Sequence, residues 1–145
     1  MPATHITLTI PRQRYGQLMS IMDATGAATI SETLGRLFKT FAAQGHVEHE
    51  LPGIAIDRID NGLAIQLEAN ERTGLSLEGA RVLADAIRTL ATGERKVAVT
   101  SEHHDFAVSR KGNGVRVTLP LAGKPRAYPI DVALELAEIL EGAAQ

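Results

Sequence analysis

The chain has 145 residues, of which 44% are hydrophobic and 22% charged, values that are typical of folded proteins. This length suits one modest domain or two small ones and excludes a large multidomain enzyme. The net charge is −2 and there is no cysteine, which excludes a disulfide scaffold and a thiolate zinc site. We expect a cytoplasmic protein, since the start lacks the pattern of a signal peptide and no apolar run approaches the ~20 residues that span a bilayer.

The charge is unevenly divided along the chain. Residues 1–45 carry four basic side chains against two carboxylates, a net of +2, whereas the remainder carries 11 basic against 15 acidic residues, a net of −4. Five basic residues follow Asp105 before the next carboxylate at Asp131: Arg110, Lys111, Arg116, Lys124 and Arg126. This basic stretch would suit a second contact with DNA or with an acidic partner, although a solvated hairpin face has the same pattern.

The first predicted element is an amphipathic strand from Thr4 to Ile10. Apolar and polar side chains alternate along it, which is the period of a β-strand. One face carries Ile6, Leu8 and Ile10, and the other carries His5, Thr7 and Thr9.

Two amphipathic helices are predicted next. The first runs from about Pro11 to about Ala24, and Gly26 supplies a left-handed stop. Thr29 and Glu32 have the spacing of a capping box, which predicts a second helix ending near Gly45. The apolar stripe of this second helix comprises Ile30, Leu34, Leu37, Phe38 and Phe41. One strand and two helices are too few to enclose a core, so this segment requires a partner.

Residues 4–44 resemble the ribbon-helix-helix family of DNA-binding proteins, of Arc/MetJ type. The resemblance implies an intertwined homodimer of β-α-α chains whose paired strands form an antiparallel ribbon in the major groove. It implies base reading by His5, Thr7 and Thr9, phosphate binding by the helix start at Thr29, Ile30 and Ser31, and a dimer core of Ile6, Leu8, Ile10, Leu34, Leu37, Phe38 and Phe41. Arg12 and Arg14 follow the predicted strand and suit phosphate contacts.

The rest of the chain contains an internal repeat. Two alternating segments around Asn61-Gly62 match two segments around Asn113-Gly114, 52 residues later, and Asn-Gly is a typical two-residue hairpin turn. Helices are predicted after the hairpins, from about Leu77 to Ala91 and from about Pro129 to Glu141. These patterns predict an α+β fold in which residues 1–45 form the ribbon-helix-helix domain, 46–53 a linker and 54–145 a duplicated ββα-ββα domain, with repeats at 54–94 and 96–142.

The sequence predicts two repeats but leaves two arrangements of them open. They could share a single sheet with both helices on one face or form a pseudo-symmetric pair of layers; we favour one α+β domain. Lys96 to Thr100 would suit a further strand between them.

No pattern predicts a catalytic or metal site. The histidines, His46 and His49 and the run Glu102-His103-His104-Asp105, lie in predicted loops without a spacing that would converge on a metal. There is neither a phosphate-binding glycine loop nor a convincing nucleophile with a base. We therefore expect no enzyme activity, no metal and no cofactor.

Together these observations predict a dimeric, sequence-specific regulator that binds double-stranded DNA, a transcriptional repressor or autoregulator of prokaryotic, plasmid or phage origin. Dimers would assemble further on adjacent half-sites, and no membrane association is expected. Two alternatives remain open. The C-terminal domain could bind a protein partner, as in an antitoxin or a plasmid-transfer accessory protein, or the whole chain could be a protein-interaction module that does not bind DNA.

Overall fold

The structure, a computed structural model, describes residues 5–145. These residues form two compact units, of which the first ends at His49 and the second begins at Glu50. Within the described part, no helix is long and apolar enough to cross a membrane.

The first unit contains two helices, α1 (Arg12–Thr25) and α2 (Ile30–Ala43). Gly26 ends α1 in the left-handed conformation, with φ of 72°, which glycine adopts without a steric cost. Within the described part of this unit, only Ala27 and Thr33 are buried. The two helices therefore contact each other but enclose no apolar core of their own.

The predicted N-terminal strand is absent, so the predicted β-α-α order was wrong: the described chain begins with helices. Residues 5–10 have no regular secondary structure, and no described strand pairs with them. Alternating side chains define two faces, but a strand also needs a neighbour for its backbone N–H and C=O groups. In the described part of this single chain, no strand lies beside residues 5–10 to provide these partners. Thr4, the predicted first residue of the strand, lies outside the described residues.

The second unit contains two antiparallel sheets and two helices. The first sheet has the order β1-β2-β3 and the second has the order β4-β5-β6-β7. The strands of the first sheet are β1 (Ile54–Ile59), β2 (Gly62–Leu67) and β3 (Thr73–Ser76), followed by α3 (Leu77–Thr92). The strands of the second are β4 (Val99–Ser101), β5 (Phe106–Lys111), β6 (Gly114–Thr118) and β7 (Arg126–Pro129), followed by α4 (Ile130–Ala143).

The predicted ββα-ββα arrangement was therefore also wrong. The repeats are βββα and ββββα, and the arrangement with one shared sheet is excluded because each repeat builds its own sheet. The strands β3 and β7 have four residues each and β4 has three. Segments this short carry too few alternating positions to be distinguished from a loop by sequence pattern.

The hairpin turns lie one residue earlier than predicted. Ile59 pairs with Gly62, and Lys111 pairs with Gly114, so each Asn-Gly glycine belongs to a strand. A β carbon on Gly62 would collide with the carbonyl oxygen of Leu75, and one on Gly114 would lie 2.8 Å from the carbonyl oxygen of Tyr128. Glycine is thus required at both positions by the close approach of the next strand, and not by a positive φ.

One hydrophobic core joins the two repeats. The helices α3 and α4 pack against each other, and α3 also packs on the second sheet. Each repeat contributes fully buried side chains, among them Ile65 and Ile87 from the first and Phe106 and Leu136 from the second. The two repeats therefore share one interior, in which neither sheet is covered only by its own helix.

A buried asparagine ties the repeats together through hydrogen bonds. The side-chain N–H groups of Asn70 donate to the carbonyl oxygens of Leu119 (3.3 Å) and Lys124 (2.8 Å), and its amide oxygen accepts from the Arg126 guanidinium at 2.7 and 3.1 Å. Nearby, the Tyr128 hydroxyl lies 3.5 Å from a carboxylate oxygen of Glu68. Burial, reinforced by that carboxylate, raises the pKa of Tyr128 above its ordinary value of 10.0.

Candidate nucleic-acid interface

The apolar side chains of the first unit are exposed. Ile6 is 84% exposed, Leu8 76%, Leu34 49% and Phe41 53%. On α2, Ile30, Leu34 and Phe41 recur at spacings of four and seven residues and so form one stripe. Of the predicted dimer core, Ile10 is also exposed, whereas Leu37 and Phe38 are half-buried. A set of large apolar groups in water on such a small unit is typical of an association surface.

The start of α2 is organised as the capping pattern predicts. The hydroxyl oxygen of Thr29 accepts from the backbone N–H of Glu32 at 3.1 Å, while the Glu32 carboxylate accepts from the N–H of Ala28 at 3.2 Å. Arg36 donates to the same carboxylate at 2.8 Å and to the carbonyl oxygen of Thr25. The negative charge of Glu32 is thus paired with Arg36 beside the positive end of the α2 dipole.

Arg12 and Arg14 lie in the first turn of α1. Both are exposed, and Arg14 donates to the side chain of Gln17 at 2.9 Å. Arg12 has no ion pair or hydrogen bond with the described residues. The three residues predicted to read bases, His5, Thr7 and Thr9, are exposed on the segment that leads into this helix. Positive charge and polar side chains thus occur together at the N-terminal end of α1.

The predicted basic stretch divides into four locations. Arg110 donates to the carbonyl oxygens of Leu90 (3.2 Å) and Ala91 (2.9 Å) at the end of α3, and Arg126 binds Asn70 as described above. Lys124 is exposed in the loop before β7. Only Lys111 and Arg116 remain, and both lie on the opposite face of the second sheet from its buried residues.

This outer face of the second sheet has a consistent composition. Its inward neighbours Phe106, Val108, Val115, Val117 and Tyr128 are buried, so the alternating positions point outward. The residues of the outer face are Thr100, Ala107, Ser109, Lys111, Gly114, Arg116, Thr118, Ala127 and Pro129. Sequence reasoning found the two cations but missed the hydroxyls, although the alternation in 106–118 separates the inward from the outward residues.

The histidines do not converge on a metal site. His46 lies edge-on to Phe41 with ring centres 5.8 Å apart, and His49 is tilted against Phe38 at 6.3 Å. His103 and His104 are adjacent in the turn before β5, where they and Asp105 line a shallow recess of about 240 Å³ with Gly74, Leu75 and Ser76. Across residues 5–145, no group of three or more potential ligands is placed to hold a metal ion.

Comparison with protein-family models, curated proteins and solved structures finds no match to this chain.

Proposed function

We propose that this protein is a homodimeric regulator that binds double-stranded DNA and acts as a transcriptional repressor or autoregulator in the cytoplasm. The observation that carries the proposal is the exposed apolar surface of the first unit, adjacent in the chain to exposed cations and polar groups. Association of two copies would cover the apolar surface and place two sets of the cations and polar groups on one duplex.

Support for the homodimer comes from the distribution of apolar surface. Large side chains such as Leu34 and Phe41 are about half exposed, and transfer of apolar surface from water contributes roughly 25 cal/mol per Å². The second unit has a buried core of 22 side chains, whereas the described part of the first unit buries only Ala27 and Thr33. A second copy of the stripe on α2 offers a self-complementary surface, which is the usual basis of a twofold dimer.

Support for DNA as the ligand comes from the groups at the helix starts. Backbone amides at the start of α2 and the helix dipole favour phosphate, and the guanidinium groups of Arg12 and Arg14 supply formal positive charge. These groups would position the duplex. His5, Thr7 and Thr9 would contact base edges, with modest discrimination because threonine is a short side chain with one hydroxyl.

The test is selection of bound duplexes from a random pool by the full-length protein, followed by affinity measurements at two salt concentrations. We expect a palindromic or tandem site to be enriched and its affinity to fall steeply with salt. Arg12→Gln should reduce the salt dependence by about one phosphate contact, whereas Thr7→Ala should change the sequence preference at the same salt dependence. Confirmed dimers that bind no duplex would exclude DNA binding and favour the protein-interaction module.

A further inference from the structure

We propose that the outer face of the second sheet is a second DNA-binding surface, which binds the sugar-phosphate backbone of the duplex. This inference rests on the proposed function, because it takes double-stranded DNA as the ligand. It assigns a role to the second unit and restricts the basic stretch to the two cations that lie on one surface.

The face is built for a flat, anionic partner. Arg116 lies at its centre, between Ser109 on β5 and Ala127 on β7, and neighbouring strands are about 4.8 Å apart. Thr100, Ser109 and Thr118 add hydroxyl donors. The small side chains of the alanines leave this surface flat. Among the outward residues of β4 to β7 none is a carboxylate. Cations and hydroxyl groups are the side chains that contact phosphate oxygens.

The two cations on this face are available for a ligand. Neither Lys111 nor Arg116 makes an ion pair or a side-chain hydrogen bond with the described residues. The arginines Arg110 and Arg126, by contrast, are engaged with carbonyl and amide oxygens of the protein. An arginine held in the middle of a sheet without an anionic partner is suited to a phosphate, which its planar guanidinium binds with two parallel hydrogen bonds.

The internal repeat supplies a built-in comparison. At the positions equivalent to Ser109, Lys111 and Arg116, the first sheet has Asp57, Ile59 and Ala64, each 52 residues earlier. Asp57 is paired with Arg72 at 3.0 Å. At these three positions the first repeat thus carries a carboxylate and two aliphatic groups, whereas the second carries a hydroxyl and two cations. Because the shared fold does not require the cationic set, we attribute it to a ligand of the second sheet.

The experiment compares full-length variants on the selected duplex over a range of salt concentrations. The double variant Lys111→Gln/Arg116→Gln should lower the magnitude of the slope of log affinity against log salt by about 1.8 for each protomer in contact, because each phosphate contributes about 0.9. The matched control is Lys96→Gln/Lys124→Gln, which removes the same charge from two exposed residues that lie outside the strands of the face. We expect its slope to stay close to that of the unchanged protein.

A single substitution tests the face by adding a negative charge to it. Ser109→Asp introduces the carboxylate that the first sheet carries at the equivalent position, so the fold tolerates it there, and it should weaken DNA binding at least tenfold at low salt. Thermal unfolding of each variant verifies that the fold is retained.

The outcomes separate the two proposals. If the unchanged protein binds DNA but the face variants bind with the same slope, the second surface is wrong and the proposed function stands. Equal losses in the face and control pairs would show a general charge effect and would likewise overturn the second surface. If the unchanged protein binds no duplex while remaining dimeric, the proposed function fails, and the second surface fails with it.

Discussion

Arg58 and Arg110 occupy equivalent positions in the two repeats, and each binds the C-terminal end of the other repeat's helix. Arg58 on β1 donates to the carbonyl oxygen of Ala143, the last residue of α4, and to a backbone oxygen of Gln145 just beyond it, both at 2.8 Å. Arg110 on β5 donates to those of Leu90 and Ala91 at the end of α3. The guanidinium satisfies carbonyl groups that have no partner within the helix and complements the negative end of its dipole. The two repeats are thereby locked together reciprocally.

This relationship predicts a matched loss of stability. Arg58→Met and Arg110→Met should each lower the free energy of unfolding by about 1–2 kcal/mol, because each leaves two helix-end carbonyl groups without a charged donor. Urea denaturation measures the change. Arg72→Met is the control, since it breaks an exposed ion pair to Asp57, and pairs of that kind contribute roughly 0–1 kcal/mol. Losses no larger than the control would mean that water replaces the arginine caps at no cost.

The glycines that begin β2 and β6 are predicted to be intolerant of a methyl group. Gly62→Ala and Gly114→Ala should each lower the free energy of unfolding by about 1–3 kcal/mol, because the β carbon collides with the backbone of the adjacent strand and forces the pair apart. The control is Gly142→Ala in α4, where nothing lies within 4 Å of the new carbon. That change should stabilise the protein by about 0.5–1 kcal/mol. Thermal denaturation of the three variants should therefore show effects of opposite sign.

The sequence predicted the elements that depend on a local pattern. The predictions that were wrong concern strands and turns, which depend on hydrogen bonding to other segments of the chain. The helices at 12–25, 30–43, 77–92 and 130–143 follow from apolar spacing and end signals. The N-terminal strand failed because the alternation of Ile6, Leu8 and Ile10 does not state whether a neighbouring strand exists. The turns were predicted one residue too late because Asn-Gly indicated a positive φ, whereas glycine is required there by the close approach of the next strand.

Side-chain roles were less predictable than elements. Arg110 and Arg116 have the same charge and lie six residues apart, yet the first binds a helix end and the second lies on the outer face. Asn70 bridges to backbone groups 49 and 54 residues away, which no local pattern encodes. Assigning these roles requires the contact between the two repeats, which only the three-dimensional structure contains.

Tyr128 predicts a loss of stability in alkaline solution. Its pKa is raised in the folded protein by burial and by the Glu68 carboxylate, whereas in the unfolded chain the phenol ionises near 10.0. Above that pH the unfolded state binds fewer protons than the folded state, so the free energy of unfolding falls as the pH rises. The contribution is fully present below pH 10 and is lost as the pH increases toward the pKa of the folded state.

Urea denaturation at a series of pH values, for the unchanged protein and for Tyr128→Phe, isolates this effect. We expect the phenylalanine variant to lose stability less steeply above pH 10, because it has no phenol to ionise in the unfolded chain. The two proteins should differ least at neutral pH, since the hydroxyl makes only a long contact of 3.5 Å with Glu68. Identical alkaline slopes for both proteins would show that Tyr128 ionises equally well in the folded state.

The apolar stripe on α2 predicts where dimerisation can be broken. Leu34 is 49% exposed in the single chain, so Leu34→Glu should leave the monomer folded, but in a dimer it would bury an unpaired charge. The expected cost is at least about 3 kcal/mol, which weakens dimerisation more than a hundredfold. Val82→Glu is the control, because Val82 belongs to α3 of the second unit and is 39% exposed. Sedimentation equilibrium measures both association constants. Since the proposed DNA site needs two copies, Leu34→Glu should also abolish binding to a palindromic duplex, whereas Val82→Glu should retain it.

A Leu34→Glu protein that remains dimeric would place the interface elsewhere and remove the observation on which the proposed function depends.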